Sequence, residues 1–293
     1  MPKPVIVITG ANGFLGSQLV KHFAGKGWIV RALVRDPKKY TNSAQLAYMA
    51  YDMNEPVNKT IFEGADYLVH AAYVKQSRQC PDAMQINITA AKRLLAASRS
   101  HRLKKNIFIS SMSAHKDAVS VYGKQKQAIE KLFNQTNDIC LRPGLIVGAG
   151  GIVQTMVDFM KSKHMVPLIA GGKQPVQLIS LQDVVKAVDH ALGRPVHGTF
   201  TVAHPQVITY KEFYQLVSQR LHIAVVFVPA PYYLLLGGLT IASKLPLNLG
   251  IEPDNLRGLK KLQAVDTHKD LEQLAIKPQA LDKYLDIALA RHS

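Results

Sequence analysis

Tyr122 and Lys126, in "VYGKQK", are the side chains best placed by type and spacing to do chemistry. A spacing of four puts both on one face of a helix. An ammonium beside a phenol favours the phenolate, which brings the tyrosine proton towards the working range of a general acid or base. A second pattern lies near the start, where "VITGANGFLG" spaces Gly10, Gly13 and Gly16 three apart. Glycines there permit a tight turn, close approach of a pyrophosphate to the backbone, and close packing of the next helix. The free N–H groups and partial positive charge of that helix's first turn attract phosphate. The expected ligand is a dinucleotide.

These groups need a frame. "PVIVITG" (4–10) is a continuous apolar run of strand length, as for a strand buried on both faces. "GSQLVKHFAGKG" (16–27) carries Leu19, Val20 and Phe23 at helical spacing and ends on glycines. Strand-like "WIVRALVR" (28–35), "ADYLVHAA" (65–72), "KNIFISS" (105–111) and "DICLRPG" (138–144) follow, with helices expected over 87–101 and 122–135. Such alternation implies right-handed βαβ units and a parallel sheet. The expected fold class is α/β, a Rossmann-type doubly wound parallel sheet with a smaller, mixed C-terminal substrate domain. The dinucleotide-binding domain is expected over 1–144, with 176–203 returning to it. The substrate domain takes 145–175 and 204–293. In the latter, Thr209 and Glu212 have capping-box spacing.

The end of the second strand bears on the choice of dinucleotide. A carboxylate there would bond both ribose hydroxyls of NAD and repel an added phosphate. Val34 takes that position and Arg35 follows, with Lys38 and Lys39 nearby. A guanidinium offers a planar fork matched to phosphate, so NADP is expected over NAD.

Composition bounds the rest. The chain has 293 residues, 47% hydrophobic and 19% charged, values typical of a globular protein. Cys80 and Cys140 are far apart and form no CxxC pair, which argues against a zinc site or a disulfide framework and fits a reducing compartment. "MPKPVIVITG" enters a strand directly, without the features of a signal peptide, so the expected location is cytoplasmic. The net charge of +16 fits a basic surface or an anionic ligand. Its basic residues are dispersed without a nucleic-acid-binding signature, so no nucleic-acid partner is expected. "YYLLLGGLTIASKLPL" (232–247) is apolar but interrupted and shorter than a membrane span. It is expected as a buried helix of the smaller domain or an apolar lid, and no integral membrane segment is expected.

The GxxGxxG spacing and the placement of Tyr122-x-x-x-Lys126 resemble the short-chain dehydrogenase/reductase superfamily. The stretches "LRPGLIVGAGG" (141–151), "ISLQDVVKAVDHAL" (179–192) and "GTFTVAHPQVITYKEF" (198–213) are similar to its extended and atypical branches, which include NAD-dependent epimerase/dehydratase-like proteins. The resemblance covers essentially the whole chain. It implies a catalytic set of Tyr122, Lys126 and a serine at the end of the preceding strand; "FISSMSA" offers Ser110, Ser111 and Ser113. Counting from the strand favours Ser111, and Ser113 is the alternative. It implies cofactor contacts from Gly10, Asn12, Gly13, Phe14, Leu15, Gly16, Arg35 and Lys39. Asp52 and Met53 near the adenine, Ala71 and Ala72 of "HAA", Asn87, Lys126 and Pro143 complete that set. Only ten residues separate Ser111 from Tyr122, a shorter connection than sugar-nucleotide enzymes of the superfamily carry. That resembles atypical members related to a mitochondrial complex I accessory subunit, some of which bind NADPH without turnover. The expectation is an NADP-dependent oxidoreductase or epimerase/dehydratase-like enzyme acting on the hydroxyl or carbonyl of a small molecule. The alternative is a non-catalytic NADPH-binding protein. The resemblance also implies a homodimer.

Overall fold

A computed structural model describes residues 2–77, 80–242 and 253–289. Its first half alternates strands and helices, except that the second, third and fourth strands follow one another without an intervening α-helix. β1 (Val5–Thr9), α1 (Phe14–Gly25), β2 (Ile29–Val34), β3 (Leu46–Ala50), β4 (Tyr67–His70), α2 (Ala83–Ser100), β5 (Lys105–Ile109), α3 (Val121–Glu130) and β6 (Asp138–Pro143) follow in order. Then come β7 (Leu145–Val147), α4 (Gly151–Lys163), β8 (Met165–Ile169), β9 (Pro175–Val176), β10 (Leu178–Ser180), α5 (Leu181–Gly193) and β11 (Gly198–Val202). The remainder is β12 (Ile208–Thr209), α6 (Tyr210–Leu221), β13 (Val226–Ala230), α7 (Tyr232–Ala242), α8 (Pro253–Lys260), α9 (His268–Gln273) and α10 (Leu281–Leu289).

Seven strands form one parallel sheet in the order β11-β6-β5-β4-β1-β2-β3. The strand order reverses between β1 and β4, and a crevice opens there beyond the carboxyl ends of the strands. Alternation of side chains builds two layers. Ile6 and Ile8 join Leu19 and Phe23 of α1 and Val184 and Val188 of α5 on one face. Val7 and Leu68 meet Leu94 and Ala97 of α2 on the other. A third cluster, with Phe108, Ile129 and Cys140, seals α3 against β5 and β6. Each fully buried large apolar side chain contributes about 1.5–3 kcal/mol to holding these layers together.

Several elements differ from the sequence reading. β3 is an additional edge strand, partly exposed and paired to β2 alone. "VQLIS" pairs through β10 with β7 in a separate two-stranded ribbon, whereas β11 joins the large sheet beside β6. The capping box at Thr209 and Glu212 is formed. Of the two readings of the apolar segment, the buried helix is corrected: Tyr233 and Leu234 in the first turn of α7 are each 75% exposed. Residues 243–247 of that apolar segment lie outside the described residues.

Candidate active site

The turn between β1 and α1 leaves no room for a side chain at Gly10 or Gly16. Gly10 has φ +65°, and a Cβ there would lie 2.8 Å from the Cα and N of Ala72. A Cβ on Gly16 would lie 2.0 Å from the Gly10 carbonyl oxygen. Gly13 N–H donates to that same carbonyl at 2.9 Å. α1 has no side-chain cap and no acidic residue in its first turn, so its N–H groups point into the crevice without a competing carboxylate. This cradle fits a pyrophosphate. Thr9 ties it to β4: its hydroxyl accepts from the N–H of Ala71 and Ala72 at 3.2 and 3.1 Å and contacts His70 Nδ1 at 2.8 Å. With both lone pairs used, the hydroxyl proton goes to Nδ1, and His70 carries its own proton on Nε2. Burial, helped by the nearby Lys126 charge, lowers the His70 pKa to about 3, so the ring stays neutral.

The residues expected at an adenosine lie beyond β2. Arg35 is exposed. The nearest carboxylate, Asp36, is committed to its own turn, accepting from Lys38 N–H at 3.2 Å and pairing with Lys39 at 3.4 Å. Tyr51 N–H donates to Val34 O at 2.9 Å, which sets the following Asp52 and buried Met53 beside the end of β2. Asp52 Oδ1 accepts from the backbone and side chain of Asn54. Asn87 turns inward: its amide accepts from Val74 N–H and donates to the carbonyls of Val74 and Ala83, pinning the segment after β4.

At the other end, Tyr122 and Ser111 line one cleft, and the Ser111 hydroxyl acts on the Tyr122 phenol. Ser111 Oγ also accepts from Ser113 N–H at 3.1 Å. The neighbouring Ser110 hydroxyl faces away and donates to Glu130 at 2.5 Å. Ser110 is thus turned to Glu130, while Ser111 and Ser113 both line the cleft with Tyr122. Burial raises the Tyr122 pKa, with the Ser111 hydrogen bond opposing. Lys126 Nζ donates to Ile109 O at 2.7 Å and lies 5.8 Å from the Tyr122 ring centre. Burial pushes its pKa down to about 8, and the negative charge of Glu130 acts the other way.

Three positioning residues carry no signal in a local reading of the sequence. Gly123 lets α3 press on the serine turn, since a Cβ would lie 2.4 Å from Ser113 O. Glu130 receives Nε and Nη2 of Arg142 at 2.7 and 2.5 Å, one helical turn beyond Lys126. Asp254 of α8 accepts from Val121 and Tyr122 N–H at 2.7 and 3.1 Å, while Ser120 accepts from Gly123 N–H. Two side chains, one of them from α8, thus satisfy the start of the helix that bears Tyr122 and Lys126.

A cleft of about 490 Å³ opens beside Tyr122. Phe14, Tyr73, Leu145, Ile146, Val176 and Leu259 give it an apolar wall, and Pro143 lies at its rim. Lys75 and Asp254 are the charged residues among its described lining. His115 does not line it, and no group of metal-ligating side chains occurs among the described residues.

A model of the NAD dependent epimerase/dehydratase family matches residues 6–203. The ceramide reductase of Caulobacter vibrioides is 27% identical over 199 residues, 66% of this chain and 62% of that protein. Subunit 9 of the NADH dehydrogenase [ubiquinone] 1 alpha subcomplex of Arabidopsis thaliana is 24% identical over 78% of this chain and 60% of that one. These matches span less than two thirds of either relative. Among solved structures, UDP-glucose 4-epimerase from Thermotoga maritima superposes with a TM-score of 0.78 at 18% identity, covering 98% of both chains.

Proposed function

The chain belongs to the NAD-dependent epimerase/dehydratase family, and on that premise we propose that it is an NADP-preferring oxidoreductase acting on an uncharged, largely apolar alcohol or ketone. The observation that carries the reading is the Tyr122 phenol, which lines a mainly apolar cleft together with Ser111 and sits one helical turn from the Lys126 ammonium. Gly10, Gly13, Gly16 and the first turn of α1 would hold the pyrophosphate. Arg35 would hold the 2′-phosphate, and Asp52 and Met53 would flank the adenosine. Bound there, the nicotinamide supplies hydride exchange. Ser111 donates to the substrate oxygen and Tyr122 gives or takes its proton. Lys126 sustains the field that makes the phenol a better acid. Lys75 is the one cation in the described lining, against the Asp254 carboxylate, so the cleft itself offers little charge to the phosphates of a nucleoside diphosphate. An apolar carbonyl compound suits that lining, and the ceramide reductase relative accords with it.

The test is NADPH-linked turnover over a panel of apolar ketones and alcohols. Tyr122→Phe should lower kcat by about 10²–10⁴-fold, the usual worth of a positioned proton donor. Turnover that survives the substitution refutes the assigned role. NADPH should bind more tightly than NADH, and Arg35→Ala should remove the difference. A second reading, NADPH binding without turnover, is favoured by two features. Lys126 is tied to Ile109 O, and burial holds the Tyr122 proton firmly. Tight NADPH binding with no consumption across the panel decides for it.

A further inference from the structure

β8 and β13 form a two-stranded parallel ribbon, with Val226 beside Met165 and Val228 beside Pro167, and α7 follows β13 after one residue. None of the three elements contains a charged residue. A helix of sequence YYLLLGGLTIA is expected to be buried. Instead Tyr233 and Leu234 are exposed, Val226 is 65% exposed, and Val228 and Met165 are exposed as well. Large apolar side chains left exposed on a paired ribbon and on the helix that follows it in sequence mark an interaction site.

Cations edge this face. Lys163 and His164 precede β8 and Lys173 follows it, all exposed. Lys260 of α8 lies 4.7 and 4.9 Å from the ring centres of Tyr232 and Tyr233 and donates to the Tyr233 hydroxyl at 3.2 Å. An ammonium and phenol hydroxyls at the border of an apolar patch suit the boundary between acyl chains and headgroups. The net charge of +16 adds attraction to any anionic surface. A partner strand fits less well, because Pro167 and Pro229 offer no N–H to a ladder and Pro231 follows at once.

We propose that β13 and α7 form a docking surface for an anionic lipid bilayer. Tyr233 and Leu234 enter the headgroup–acyl boundary, and Lys260 meets the phosphates. No helix among the described residues is long and apolar enough to cross a membrane, so the attachment is peripheral. α8, which packs against α7, also lends Gly258 and Leu259 to the cleft, so the docked face adjoins the cleft wall.

The full chain is sedimented with vesicles of phosphatidylcholine and phosphatidylglycerol, and with phosphatidylcholine alone, at low and high salt. Binding is expected on the anionic vesicles and should weaken with salt. Leu234→Glu should lower the partition coefficient at least about tenfold, and Lys260→Ala about fivefold. Both sites are exposed, so the melting temperature should hold. Wild type that stays in the supernatant overturns the proposal. So do variants that bind as well as wild type, because dispersed basic charge then suffices. A dimer by light scattering that Leu234→Glu dissociates also overturns it, assigning the face to a second copy. None of these readings uses turnover, so the proposed chemistry fails or stands separately.

Discussion

Removing the Glu130 carboxylate should cost the protein both stability and the tuning of its lysine. Glu130 holds Arg142 through two hydrogen bonds of 2.7 and 2.5 Å and accepts the Ser110 hydroxyl at 2.5 Å. The Glu130 side chain is 8% exposed and that of Arg142 28%. Glu130→Ala therefore leaves a mostly buried guanidinium without its counter-charge, a change that costs about 3–5 kcal/mol. The lost Ser110 hydrogen bond adds about 1 kcal/mol. For a chain of this size each kcal/mol moves the melting temperature by about 2 °C, so a fall of roughly 8–12 °C is expected by circular dichroism. Glu130→Gln keeps the shape and one acceptor oxygen, and should lose about half as much. Both variants remove a charge that holds Lys126 up, so the Lys126 pKa should drop further below about 8. The alkaline limb of the activity profile should move to lower pH with it. A Glu130→Ala protein melting within about 2 °C of wild type would refute the reasoning. It would mean that water satisfies Arg142 and Ser110 as well as Glu130 does.

Gly16→Ala should weaken NADPH binding more than about tenfold in a fluorescence titration, since a Cβ 2.0 Å from Gly10 O forces the cradle open; unchanged affinity contradicts the crowding. Lys126 titrates near pH 8 because burial lowers its pKa, so its ammonium, and the field on Tyr122, are lost as pH rises through that value. kcat should fall above about pH 8, and a limb near the ordinary lysine value would show that the ammonium is hydrated. Asp254→Ala should cost about 1–2 kcal/mol in a urea titration by uncapping α3, with Asp254→Asn, which keeps one of the two acceptor oxygens, recovering about half of it. Equal losses in the two variants would point to charge rather than capping.

What the sequence reveals depends on how local each demand is. The glycine turn is legible because a β1 run, three spaced glycines and a helix make their case within a short stretch. β3 is not, because Leu46–Ala50 (LAYMA) is a short apolar run without alternation, whose periodicity does not tell strand from helix, and it lies at a partly exposed edge. Glu130 and Asp254 escape for another reason. Their partners lie 12 and 133 positions away, and only the folded chain brings them together. The three serines of "FISSMSA" are separated only by where β5 ends and by the closeness of α3, which Gly123 permits. α7 misleads because apolar composition predicts burial, whereas burial also needs a neighbour to provide it.

The carboxylate of Asp254 has a consequence for how the protein is made. Synthesis runs from the N-terminus, so the glycine turn and all seven strands of the large sheet are translated well before residue 254. A nascent chain can therefore reach a state able to take up nucleotide while the helix bearing Tyr122 still frays at its first turn. When α8 emerges and folds back, Asp254 adds its two acceptors and completes the start of the helix that carries Tyr122. On the chemistry proposed above, translation order keeps cofactor binding ahead of reactivity, and a chain that stalls between the two is a binder without a finished site.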